Sequence, residues 1–213
     1  MAVASSPNFG PRRDGLTPRL IVIHYTAMQS AEAALARLCD PQAEVSAHYL
    51  IAADGRCLQL VAEEMRAWHA GAGEWAGQQD INSRSIGIEL DNRGDHPFSE
   101  PQMQVLEKLL RDLMDRWGIP AAGVLGHSDI APGRKQDPGP RFDWQRLALR
   151  GLAVPTPAPR ETRVSEAAFR AAARAAGYTA DVPFDTLLAA TRLRHGPWRH
   201  GPLCDADLAL PPV

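Results

Sequence analysis

Two short stretches limit the fold more than any others. Residues 19–25 contain the unbroken run Leu20-Ile21-Val22-Ile23, and residues 85–90 read Ser-Ile-Gly-Ile-Glu-Leu. Strand side chains alternate between faces, so an apolar run without alternation needs an apolar layer on each side. Both segments are therefore expected as interior strands of a sheet. Around them, residues 47–52 and 57–61 flank Asp54-Gly55, a pair that favours a hairpin turn. Residues 30–38 offer a serine N-cap, an early glutamate and an Ala/Leu-rich helix stopped by Pro41. Over 99–117, Met103, Leu106, Leu110, Leu113 and Trp117 form one helical stripe, which Ser99 can cap and Gly118 can end. Residues 123–126 read as a short strand delivering His127, and 143–150 as a closing helix. Strands interleaved with helices make an α/β or α+β sheet with helices packed on it.

At 213 residues the chain can hold one good core plus a small appendage. Pro155, Pro157 and Pro159 mark residues 154–163 as a stiff linker. The expected division is residues 1–153, the linker, and residues 164–213, in which 165–176 and 184–191 read as helices. That last segment is either a small helical module or a helical tail packed on the first domain. A net charge of −2 offers nothing for nucleic acid held through its phosphates. No apolar run reaches the roughly 18–20 residues of a membrane span. The N-terminus lacks the basic start and apolar stretch of a signal peptide or lipoprotein leader, so a cytoplasmic location is expected. Cys39, Cys57 and Cys204 are odd in number and without CxxC spacing, which suits reduced thiols. A monomer is expected.

Chemistry concentrates in one loop. Residues 126–140 hold His127, Lys135 and Asp137 among Pro132, Gly133, Pro138 and Gly139, which fix the backbone around polar side chains. With His24, at the end of the first apolar run, two imidazoles and a carboxylate become available to one metal ion. Three N/O ligands with a position left for water is the composition of a catalytic zinc site. Spacing alone does not separate such a set from solvated loop residues. Glu89 ends the second apolar run, where burial would raise its pKa; a strand-end carboxylate facing water is the alternative. The chain has no His-Glu-x-x-His, which excludes the helix-borne metalloprotease arrangement.

The wording around these residues narrows the choice. IVIHYT (21–26), VSAHYLI (45–51), WHAG (68–71), NSRSIGIEL (82–90) and the His127 loop running on to Phe142-Asp143-Trp144 resemble the zinc-dependent N-acetylmuramoyl-L-alanine amidases of the type 2 amidase family, relatives of the peptidoglycan recognition proteins. The resemblance covers about residues 7–150. It implies an α/β fold, a central mixed β-sheet flanked by helices, with one Zn2+ per chain in a groove along one face. It further implies His24, His127 and Asp137 as zinc ligands, Glu89 as general base and acid, and Lys135 as the cation facing the oxyanion.

The implied reaction cuts the amide between N-acetylmuramic acid and L-alanine, in peptidoglycan or in (anhydro)muropeptide fragments during cell-wall recycling. Tyr25, His48, Trp68, His69, Asn82, Arg84 and Arg134 are the candidates for binding substrate. For His48 the competing reading is a hydrogen-bonded structural histidine, and for Asn82 and Arg84 turn capping and a surface charge. Two rivals stand beside the amidase: a non-catalytic peptidoglycan-binding module, and a zinc hydrolase acting on a different amide. The presence of all three ligand types with Glu89 and Lys135 argues against the binder.

Overall fold

In the computed structural model of the chain, which describes residues 2–3, 5–159 and 163–213, the two apolar runs lie side by side as parallel strands. Residues 160–162 of the predicted linker fall outside the described residues. In chain order the strands are β1 (Ala2–Val3), β2 (Phe9–Pro11), β3 (Leu20–Tyr25), β4 (Tyr49–Ile51), β5 (Cys57–Gln59), β6 (Met65–Ala67), β7 (Ser85–Leu90) and β8 (Val124–Gly126). The helices are α1 (Ala31–Cys39), α2 (Ile81–Arg84), α3 (Glu100–Trp117), α4 (His127–Ile130), α5 (Trp144–Leu149), α6 (Glu166–Ala175) and α7 (Phe184–His195).

The main sheet runs β1-β5-β4-β7-β3-β8, and β2 pairs with β6 apart from it. Strand β3 lies parallel between β7 and β8, β7 is also parallel to β4, and β4 meets β5 antiparallel through the predicted Asp54-Gly55 turn. The sheet is therefore mixed, with helices on both faces. Ile21 and Ile23 of β3 face the α3 stripe of Met103, Leu106, Leu110 and Leu113, with Trp144 and Leu147 of α5 beside it. Val22 points the other way, into a second core with Leu125, Ile130, Phe169, Ala173, Leu187 and Leu188. This double burial is why the run does not alternate. Helix α3 is held as its sequence suggests: Ser99 Oγ accepts from the Gln102 amide, and Gly118 closes the helix at φ +64°.

That second core is shared between the sheet and the helices α6 and α7, so the C-terminal helices pack against the sheet. A buried polar node joins the two. Asp129 of α4 accepts from Arg194 of α7 at 2.8 Å, from the Tyr178 hydroxyl at 2.7 Å and from the Gly126 amide at 2.8 Å. The Arg194 guanidinium also lies 4.0 Å from the centre of the Trp144 ring. Removing one member of a buried ion pair strands the other, at a typical cost of about 3–5 kcal/mol. Arg194→Ala is expected to lower the urea unfolding free energy by about that amount, and Arg194→Ala with Asp129→Asn by less.

His195, the last residue of α7, is buried with its Nδ1 2.8 Å from Thr156 Oγ1. Burial, then the neighbouring Arg194, push its pKa down to about 3, and burial takes His48 to about 4. The unfolded chain, with histidines near 6.5, takes up these protons first as pH falls. Stability present above pH 6.5 is therefore lost on the way down, by at most about 1.4 kcal/mol per pH unit per histidine. Melting temperatures between pH 7 and pH 4 should fall more steeply for the parent than for His195→Gln.

Candidate active site

The parallel register of β3 with β7 sets His24 directly opposite Glu89, both at the C-terminal ends of their strands. On the other side of β3, β8 ends at Gly126 and hands His127 to the first turn of α4. The chain then returns through the Pro/Gly loop and places Asp137 against both histidines. A Cβ on Gly126 would sit 2.8 Å from Pro138 Cδ, so a glycine there lets the loop close. His24 Nδ1 lies 2.8 Å from Asp137 Oδ2 and 2.9 Å from His127 Nδ1, and His127 Nδ1 lies 3.0 Å from the same carboxylate oxygen. All three side chains are buried, and among the described residues this is the one cluster of His, Cys or acidic groups with donors close enough to share an ion.

The donor chemistry fits a divalent metal. His127 Nε2 lies 3.1 Å from the Ala70 carbonyl oxygen, which can only accept, so the ring proton sits on Nε2 and Nδ1 presents its lone pair. Burial, then His127, push the His24 pKa down to about 4, leaving the neutral imidazole that metal ligation requires. The bare His127 Nδ1, the neutral His24 ring and the Asp137 carboxylate crowd together, and a cation among them would relieve the repulsion between their unshared pairs. The site would hold such an ion through His24, His127 and Asp137.

Glu89 has the opposite surroundings. Its Oε2 is shielded from water and has no hydrogen-bond partner among the described residues. Burial, then Asp137, drive its pKa up to about 8 against the pull of Lys135. Near neutral pH it therefore carries a proton it can give away. Lys135 is exposed on the rim, with no ion pair among the described residues.

These groups line a cavity of about 450 Å3, whose wall includes Tyr25, Trp68, His69, Arg134 and Lys135. The Tyr25 ring is wedged against Gly94, where a Cβ would come within 2.8 Å. Arg134 is less available than its sequence position suggests, since its Nη2 donates to the carbonyls of Ala70 and Ala72. Three predicted substrate residues do not line the cavity. His48 accepts from the Gly87 amide at 2.9 Å and lies 3.0 Å from the Met65 carbonyl, tying three strands together. Asn82 Oδ1 accepts from the amides of His69 and Ala70. Arg84 donates to the Gln79 carbonyl at 2.9 Å. In the other direction, Arg37 of α1 and Met28 line the cavity without having been singled out. No motif surrounds either, and only the packing of α1 beside the site reveals them.

The profile of the N-acetylmuramoyl-L-alanine amidases matches residues 14–140, a span that contains His24, Glu89, His127, Lys135 and Asp137. The chain belongs to the N-acetylmuramoyl-L-alanine amidase family. The family member AmiD of Escherichia coli K12 is 43% identical over 152 residues, covering 64% of this chain and 54% of AmiD, so the chain spans about half of that relative's length. AmpD, the 1,6-anhydro-N-acetylmuramyl-L-alanine amidase of the same strain, is 39% identical over 161 residues, covering 68% of this chain and 88% of AmpD. The solved structure of E. coli AmiD with anhydro-N-acetylmuramic acid-L-Ala-D-γ-Glu-L-Lys superimposes with a TM-score of 0.80 at 34% identity, over 97% of this chain and 88% of that one.

Metal analysis of the purified amidase-family chain should find one equivalent of a divalent ion. His24→Ala, His127→Ala and Asp137→Ala should each lose it, while Glu89→Gln should keep it.

Proposed function

We propose that this protein is a zinc-dependent N-acetylmuramoyl-L-alanine amidase that releases the stem peptide from muropeptide fragments carrying a 1,6-anhydro sugar. The observation that carries the reading is the convergence of His24, His127 and Asp137 beside a shielded Glu89 at the floor of one cavity. The names of AmiD and AmpD, and the ligand in the AmiD complex, support the bond and the substrate class. A bound zinc would lower the pKa of a water toward about 7 and polarise the scissile carbonyl.

The chain's own residues account for the rest of the chemistry. Hydrolysis forms a bond from water oxygen to the lactyl carbonyl carbon and breaks the bond to the alanine nitrogen. The departing nitrogen needs a proton, and the incoming water must lose one. Glu89, opposite His24, can take it in its ionised form and return it, and a carboxyl with pKa near 8 keeps both forms populated near neutral pH. Lys135 supplies a positive charge on the cavity wall for the oxyanion, where one such donor is typically worth about 2.7–4 kcal/mol. With Arg37 and Arg134 it makes a cationic rim suited to the carboxylates of an acidic stem peptide. Trp68 offers a ring against which a sugar or peptide face can pack. A purely binding module would give no role to a Glu89 carboxyl with one oxygen shielded and, among the described residues, without a hydrogen-bond partner.

Mass spectrometry of defined anhydromuropeptides should show the free stem peptide with zinc present and none after chelation. Glu89→Gln should retain the metal and lose about 10²–10⁴ in rate. Equal turnover of anhydro and reducing-end fragments would overturn the anhydro preference while leaving the amidase reading in place. We also place the reaction in the cytoplasm, on soluble fragments; recovery of the native protein only with the cell envelope would count against that.

A further inference from the structure

We infer that Asn82, His69 and Ser85 form an outer layer that fixes both imidazole ligands in the Nε2–H tautomer, so that each Nδ1 is bare before the metal arrives. They are positioning residues, and the inference rests on the metal reading above. The proton count begins at a carbonyl. Ser85 Oγ lies 2.6 Å from the Ile81 carbonyl oxygen, which only accepts, so the single hydroxyl proton of Ser85 is committed there. Ser85 Oγ must then accept from His69 Nε2, 3.2 Å away. The buried neutral His69 ring has one proton, so its Nδ1 is an acceptor. That nitrogen sits 3.1 Å from His24 Nε2, which must therefore carry the His24 proton. What remains on His24 is an Nδ1 lone pair aimed at His127 and Asp137. His127 reaches the same state more directly, through its Nε2 hydrogen bond to the Ala70 carbonyl.

The two supports, the His69 ring and the Ala70 carbonyl, belong to consecutive residues, and one side chain holds both. Asn82 Oδ1 accepts from the His69 amide at 3.0 Å and from the Ala70 amide at 2.8 Å. Gly87 makes room for the arrangement: a Cβ there would lie 2.4 Å from the His69 ring. The motif pair WHAG and NSRSIGIEL thus encodes a scaffold behind the ligands. Outer partners of this kind orient a ligand ring and raise its basicity, and losing one typically costs 10–100-fold in metal affinity.

Two full-chain variants separate positioning from bulk. His69→Leu fills the space but accepts nothing, whereas His69→Gln offers an amide oxygen toward His24 and amide hydrogens toward Ser85. Competition with a chromophoric chelator should show zinc binding about 10–100-fold weaker for His69→Leu. His69→Gln should lie closer to the parent than to His69→Leu. Long-range 1H–15N spectra of the metal-free parent should place the His24 and His127 protons on Nε2, a readout that needs no variant to fold. Equal zinc affinity of parent and His69→Leu, or a proton on His24 Nδ1, overturns the inference. Neither readout uses turnover, so failure of the amidase assay leaves this test intact. A parent that binds no zinc would instead remove the metal reading itself and this inference with it.

Discussion

Between β7 and β8, strand β3 is buried from Ile21 through His24. Ile21, Val22 and Ile23 are fully enclosed, and the polar side chain that follows them is His24. Everything chemical in the molecule is arranged around that side chain. Parallel pairing puts the end of β7, and so Glu89, beside it, while the next parallel neighbour ends just before His127. Ligands from two strand ends and a loop therefore meet without any one segment having to carry them together.

The two carboxylates of the site show how placement alone assigns different tasks. Asp137 lies against His24 Nδ1 and His127 Nδ1, where a cation shared among the three groups would favour its negative charge. Glu89, opposite His24, has an oxygen shielded from water and from every donor among the described residues, and burial favours its neutral form. Environments that push two titratable groups apart are a general route to a division of labour between them.

Much of this was legible in the residues because it is local. The non-alternating run of β3, the α3 stripe, the Asp54-Gly55 hairpin and the Pro/Gly loop carrying His127 and Asp137 each announce themselves within a few residues of chain. The parts that were not legible depend on distant partners. Asn82 reads equally well as a substrate group or a turn cap, and only the fold shows its amide oxygen holding the His69–Ala70 backbone. Ser85 looks like the start of a strand, and nothing local marks it as the anchor of a proton chain. Arg194 lies beyond the predicted helix 184–191, and no local signal marks it for burial. It is buried because Asp129, far back in the chain, awaits it, and no periodicity records that pairing.

The same pairing gives the last fifty residues an importance their sequence does not advertise. They roof over Val22 and Leu125, and they neutralise an acid two positions beyond His127, a candidate metal ligand. Cutting the protein back to the family-matched segment would uncover a greasy sheet face and strand a charge beneath it. A minimal fragment of this chain would therefore need a redesigned underside as well as a shorter gene.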